Sequence, residues 1–511
     1  MLYLKPLRFA AAILAIGSLL TLNACQDHRM VPNPQTLPDA TVYALNDGNQ
    51  LIRLSIRNTT APQATMGITG LQADERVLSI DFRPATGQLY GVTNQSRLVV
   101  INTATAAARA IGTAPFAPAI SSAVVGIDFN PTVDRIRLVT NTGQNLRLNP
   151  ETGTVAATDG AINGIAGAMI SEVAYTNNQA GAATTTLYDI DPATDRLYIQ
   201  NPPNNGTLTD VGPLGLDITG AAGFDIAPDG TGLVAVIFGG KPELQQINLT
   251  TGRLQKLGDL TSTIIGLAIP TNPVAYAIEG TTNLLIFNPM NPVPVSKAIT
   301  GLQSGEAIYG IDFRPVNGQL YAIGSTSRLY TINTSSGAAA VVGSQFSTLL
   351  SGTDVGFDFN PTVDRIRLVT NTGQNLRLNP NPNPNEGTIA ATDGTLNPGT
   401  PSVTGAAYTN NFAGATSTSL YGIDNQGATA MLVQQNSPNA GTLVTVGSLG
   451  VMAEAANGFD IGGTSGTAYA LLRVSGTTRI YSVNLTSGAA TAGAMLPGNP
   501  TVRGFALGLG F

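Results

Sequence analysis

From residue 40 onward, apolar positions fall into two patterns: short strand-length runs such as "TVYAL" and "IIGLAI", and strict alternation with polar residues, as in "RIRLVT" and "NLRLN". A period of two places successive side chains on opposite faces of a strand, so Ile136 and Leu138 share one face and Arg135 and Arg137 the other. Asn-Pro, Thr-Gly and Asp-Gly turn signals separate the runs. No amphipathic helical pattern interrupts them, and the fold class expected is all-β.

The runs repeat at two levels. "DFNPTVDRIRLVTNTGQNLRLNP" occupies residues 128–150 and recurs unchanged at 358–380, an offset of 230 residues. Around it the halves align from "TVYAL" with "VAYAI", through "IDFRPATGQLYGV" with "IDFRPVNGQLYAI", to "GFDI" at Gly223 and Gly458. Five shorter units fit each half, about 46 residues apiece, which matches the roughly 40–50 residues of a four-stranded propeller blade. "IIGLAIP" and "RGFALGLGF" resemble the first strand of a unit, yet each ends a half. That offset suits a ring whose C-terminal strand completes its first blade and so leaves no open edge. The expectation is a β-propeller fold: two tandem five-bladed propellers, residues 39–270 and 271–511, with a single ten-bladed ring as the rival.

Composition narrows the chemistry. The hydrophobic fraction of 43% allows large cores, whereas charged residues make up only 11%, against about 25% in typical soluble domains. A net charge of -6 supplies no basic field for a phosphate backbone, so nucleic acid is not an expected partner. The single histidine, His28, and the single cysteine, Cys25, both lie near the N-terminus. The repeat region therefore has no Cys or Ser-His nucleophile system, no His-ligated metal and no disulfide.

The N-terminus reads as an export signal: "MLYLKPLR" is positively charged, "FAAAILAIGSLLTL" is apolar, and "LNAC" ends at Cys25. Residues 1–25 are accordingly expected to be a lipoprotein signal with Cys25 lipidated, and 26–38 a flexible tether. A plain secretory signal is the simpler alternative. Gln26, in place of Asp, points to the outer membrane or cell surface, reached through the lipid anchor.

"SIDFRPATGQLYGVTNQSRL", the duplicated stretch, "AYTNN" and "AAGFDI" resemble the bacterial family catalogued as domain of unknown function 4394. The resemblance covers nearly everything after residue 38, taken twice. It implies an exported, repeat-built domain often associated with cell envelopes, and it carries over no catalytic residues.

Two sets of residues could carry chemistry. The third position of each first strand is Asp81, Asp128, Ala174, Asp225 and Ala268 in the first half and Asp312, Asp358, Ala407, Asp460 and Ala506 in the second. Six carboxylates converging on two tunnels could hold Ca²⁺ or act on a glycosidic bond, and they could equally be scaffold, accepting hydrogen bonds inside their own rings. The duplicated blade supplies the second set: Arg135, Arg137, Asn141, Gln144, Asn145 and Arg147, with their twins Arg365, Arg367, Asn371, Gln374, Asn375 and Arg377. These read either as a surface for a protein, peptide or glycan ligand, or as an Arg–Asp network fixing blade to blade. The preferred function is an envelope-anchored binding or scaffolding module rather than an enzyme, with Ca²⁺ the one cofactor considered. An Asp-dependent glycan hydrolase or lyase and a purely structural surface protein remain as alternatives.

Overall fold

The computed structural model describes residues 39–220, 223–380 and 386–511. The signal, Cys25 and the tether lie outside these residues, as does most of the insertion that follows Pro380 in the second copy of the duplicated stretch.

The described chain forms ten four-stranded antiparallel sheets and two single-turn 3-10 helices. Eight sheets are built from four consecutive strands. The other two are completed from the C-terminal end of their own half: Ile264–Ala268 pairs with Thr41–Asn46, placing Ala268 against Tyr43, and Val502–Leu507 pairs with Ala275–Glu279, placing Ala506 against Tyr276. Each half is thus a closed five-bladed propeller, and the ten-bladed ring is excluded because neither closing strand crosses to the other half. We number the blades 1–5 and 6–10 in chain order, blades 1 and 6 being the two completed by a closing strand.

The buried side chains confirm two rings. Apolar clusters fill the seams between consecutive blades, and the ring-closing seams run from blade 5 to blade 1, with Leu244 beside Val42, and from blade 10 to blade 6, with Leu471 beside Phe287. A tyrosine of one blade's second strand meets the "DF" phenylalanine of the next blade across four of the seams. Tyr90 packs edge-on against Phe129 at 5.2 Å, and Tyr43–Phe82, Tyr276–Phe313 and Tyr321–Phe359 repeat the arrangement.

The first strands of successive blades lie against one another around each axis. Their spacing explains the glycines two positions before the aspartates. A Cβ on Gly126 would fall 2.6 Å from the Cα of Glu172, and one on Gly458 would fall 2.4 Å from the Cβ of Phe505. Only glycine lets neighbouring inner strands approach so closely.

Candidate functional site

The six aspartates occupy the inner strands, and none is more than 1% exposed. Each reaches forward to the backbone of the next blade. Asp81 accepts from the Phe129 N–H at 2.7 Å, Asp128 from Tyr175 at 3.1 Å and Asp225 from Ile269 at 2.5 Å. Asp312, Asp358 and Asp460 repeat this with Phe359, Tyr408 and Leu507. Asp81 and Asp225 use their second oxygens on the N–H of the following residue, Phe82 and Ile226. The same-strand alternation that buries Phe129 in a seam therefore turns Asp128 toward the axis as a blade-to-blade clamp.

Clamping also gathers the carboxylates. One oxygen each from Asp81, Asp128 and Asp225 lies within 4.8 Å of the others, and Asp312, Asp358 and Asp460 form a second such trio. Burial raises the pKa of all six, and mutual repulsion raises those of Asp81, Asp128, Asp312 and Asp358 further. Asp225 and Asp460, each accepting two backbone hydrogen bonds, are pushed up to about 7. The axial void of the second propeller measures about 10 Å³, room for about one water and far too small for a sugar ring.

The duplicated blade is occupied differently. Arg137, 2% exposed, donates to Asn145 Oδ1 at 2.7 Å, Asp159 Oδ2 at 2.6 Å, Asn204 Oδ1 at 2.8 Å and Tyr175 OH at 3.4 Å. Arg147 grips Asp159 with two donors at 2.8 and 2.9 Å. Asn145 donates to Gly160 O and Pro203 O. Tyr175, Pro203 and Asn204 belong to the next blade, so the network ties blade 3 to blade 4. Arg367, Asn375 and Arg377 make the same bonds with Tyr408, Asp393, Gly394, Pro438 and Asn439.

The turn residues hold their neighbouring loops. Gln144 bonds Ala119 O and Ser121 N, and Gln374 bonds Leu349 O and Ser351 N. Asn141 takes the Val124 carbonyl through its backbone, while Asn371 bonds Thr353 N and Asp354. Arg135 and Arg365 stay half-buried, each donating to the carbonyl of the residue before it. Partners recur in both copies for Arg137, Gln144, Asn145 and Arg147 and their twins, whereas Asn141 Oδ1 is buried without the partners that Asn371 finds.

Three features escaped the sequence reading. Arg83 is fully buried, paired with Asp134 and Glu151, and donates to Gly318 O of the second propeller at 2.9 Å. Tyr276 OH to Ala85 O and Gly510 N to Thr86 O, at 2.9 and 2.8 Å, complete this junction. "DFRP" occurs in both halves, but its outward bond at Arg83 depends on a fold-level contact. Glu172 and Asp189 are buried acids of blade 4 that face Gly405 and Gly422 in the aligned copy, and that contrast was the available signal.

The third feature is a cleft of about 240 Å³ where the propellers meet. Tyr43, Phe82 and Arg109 line it from the first propeller, Asn272 from the connecting segment, and Phe412 and Phe511 from the second. Phe412 is 38% exposed. Arg109 is partly buried and makes one hydrogen bond within the described chain, 3.2 Å to Ala110 O, leaving most of its five donors without a partner among the described residues. The walls come from segments hundreds of residues apart, beyond the reach of local patterning.

The chain belongs to a recognised family. The chain is a member of the family described as "Domain of unknown function (DUF4394)", whose profile matches residues 50–268 and again 283–506, one copy per propeller. No curated protein matches it. Among solved structures, the chain is similar to PorZ, a bacterial surface component of the type-IX secretion system of Porphyromonas gingivalis, at 13% identity and a TM-score of 0.26, over 90% of this chain and 67% of that one. It is also similar to the extracellular domain of BT4673 from B. thetaiotaomicron, at 12% identity and a TM-score of 0.24, over 89% and 66%. Among the described residues, no helix is long and apolar enough to cross a membrane.

Proposed function

We propose that the protein is an envelope-anchored binding module whose ligand occupies the cleft between its two propellers. The carrying observation is Arg109, a partly desolvated guanidinium with donors to spare, set among aromatic rings in a concave site. Ligand sites combine apolar walls with a few convergent polar groups, and a guanidinium favours a carboxylate. The ligand chemistry is therefore a carboxylate beside an apolar chain or ring, as in an acidic oligosaccharide or the C-terminus of a peptide. Anchoring rests on the N-terminal sequence ending at Cys25.

Cleavage of a glycan has less support. The axial acids are buried and share similar surroundings, and the void beside those of the second propeller is too small for a sugar ring, whereas glycosidases need two carboxyls in contrasting environments with substrate between them. Scaffolding fits the Arg–Asp networks and the six aspartates, whose donors and acceptors serve neighbouring blades.

The test is a thermal-shift and anisotropy screen comparing uronate oligosaccharides with their neutral counterparts, and free with amidated peptide C-termini. Carboxylate-dependent binding that falls at least tenfold in Arg109→Gln supports the proposal. Binding that Arg109→Gln and Phe412→Ala leave unchanged removes the cleft from consideration.

A further inference from the structure

The two groups that give the cleft its character stand where the halves of the chain have diverged. In the outermost strand of blade 2, Arg109 pairs with Val100, and the same register in blade 7 pairs Ala340 with Thr331. After the shared "AYTNN", Phe412 stands where the first half has Gln179, and each donates its backbone N–H at 2.7 Å to the carbonyl two positions earlier. One copy keeps the local backbone without the arginine and the other without the phenylalanine, so packing requires neither side chain.

The rest of the lining indicates what accompanies a carboxylate. Arg109 is the only charged side chain among the described residues that wall the cleft. With no acid there to receive an ammonium, a free amino acid is a poor fit. Gln88, Thr103 and Asn272 line the cleft and make no side-chain hydrogen bond to a described residue. Asn102 caps its own turn through Oδ1, at Ala104 N and Thr105 N, and keeps its Nδ2 donors unused. Amides and hydroxyls of this kind both donate and accept. A peptide terminus offers them one N–H and one C=O beyond its carboxylate, whereas a sugar ring offers several hydroxyls that each do both. Tyr43, Phe412 and Phe511 supply flat apolar surface for the C–H face of such a ring. A volume of about 240 Å³, below the roughly 300–1,000 Å³ of sites for drug-sized ligands, suits a single ring.

We propose that the cleft is a subsite for one uronate ring, its carboxylate on Arg109, its hydroxyls on Gln88, Asn102, Thr103 and Asn272, and its apolar face on Phe412. This rests on the cleft being the ligand site and narrows the ligand to an acidic sugar. The remainder of a longer glycan lies outside the cleft.

The experiment is isothermal titration calorimetry of the full-length chain with a monouronate, the corresponding triuronate, the neutral trisaccharide made by carboxyl reduction, and a tripeptide with a free C-terminus. The two uronates are expected to bind within tenfold of each other, and the neutral trisaccharide and the tripeptide at least tenfold more weakly. Monouronate affinity should fall at least tenfold in Arg109→Gln and at least tenfold in the double variant Gln88→Leu, Asn272→Ala, whose side chains hold no other described residue. Unchanged affinity in the double variant overturns the hydroxyl contacts, and a triuronate that binds more than tenfold tighter than the monouronate overturns the single ring. A tripeptide that binds through Arg109 at least as tightly as the monouronate overturns the sugar and leaves the cleft as the ligand site. Absence of binding by every carboxylate ends both readings.

Discussion

Replacing Arg137 by alanine tests why one stretch persists in two copies. The substitution leaves Asp159 its bidentate partner Arg147, so that carboxylate keeps a counter-charge. Asn145 Oδ1 and Asn204 Oδ1 lose donors held at 2.7 and 2.8 Å, and Tyr175 OH loses one at 3.4 Å. Breaking a buried pair costs about 3–5 kcal/mol, and each stranded polar group about 1–3 kcal/mol. With Asp159 still paired, the lower end applies, about 3 kcal/mol. At roughly 2–4 °C per kcal/mol for a domain of this size, the first propeller's transition should fall by about 6–12 °C in calorimetry. Arg367→Ala should cost the second propeller the same, because its donors reach Asn375, Asp393, Asn439 and Tyr408. Arg135→Ala, which removes a bond only to its neighbour's carbonyl, should cost less than about 1 kcal/mol. A loss below about 1 kcal/mol in both buried variants, or an Arg135→Ala effect as large as theirs, would refute the network as the cause of the identity.

Other consequences are as direct. The axial carboxyls have folded pKa values above their unfolded ones, so the folded state binds more protons, and stability should decline as pH rises from 5 to 8, through the value of about 7 at Asp225 and Asp460. Thermal melts in EDTA check this, and a melting temperature that rises over that window would contradict it. Gly458→Ala drives a methyl to 2.4 Å from Phe505 Cβ and should cost about 1–3 kcal/mol by denaturant titration, whereas Gly466→Ala, with open space but a φ of +65°, should cost only the backbone strain of about 1 kcal/mol. Cys25→Ala should abolish incorporation of labelled fatty acid and release the chain from the membrane fraction; retention with unchanged labelling would remove the anchor from the account.

Repetition made much of this architecture legible. The duplicated 128–150 stretch set the period, and the stray first strands at Ile264 and Arg503 predicted how each ring closes. Alternation along Gly126–Phe129 placed Asp128 toward the axis because a strand offers only two faces. The roles of Arg137 and Asn145 were harder to assign. "RIRLVT" shows that the arginines share a face, but not that Asn204 lies opposite Arg137, 67 positions along the chain, or that Pro203 O meets Asn145 from 58 positions away. Glu172 stands out in the sequence only against Gly405, its counterpart in the aligned second half. The cleft was invisible for a stronger reason: Arg109 and Phe511 become neighbours only once two finished propellers pack through Arg83 and the C-terminal turn.

The most direct test of the binding account is hydrogen–deuterium exchange of the full-length chain with and without the best carboxylate ligand from the screen. Protection is predicted in residues 100–109, 270–274 and 508–511, the segments that wall the cleft. Protection confined to the duplicated blade's turns at 141–145 and 371–375, with the cleft segments unchanged, would contradict it and move the ligand to the rims.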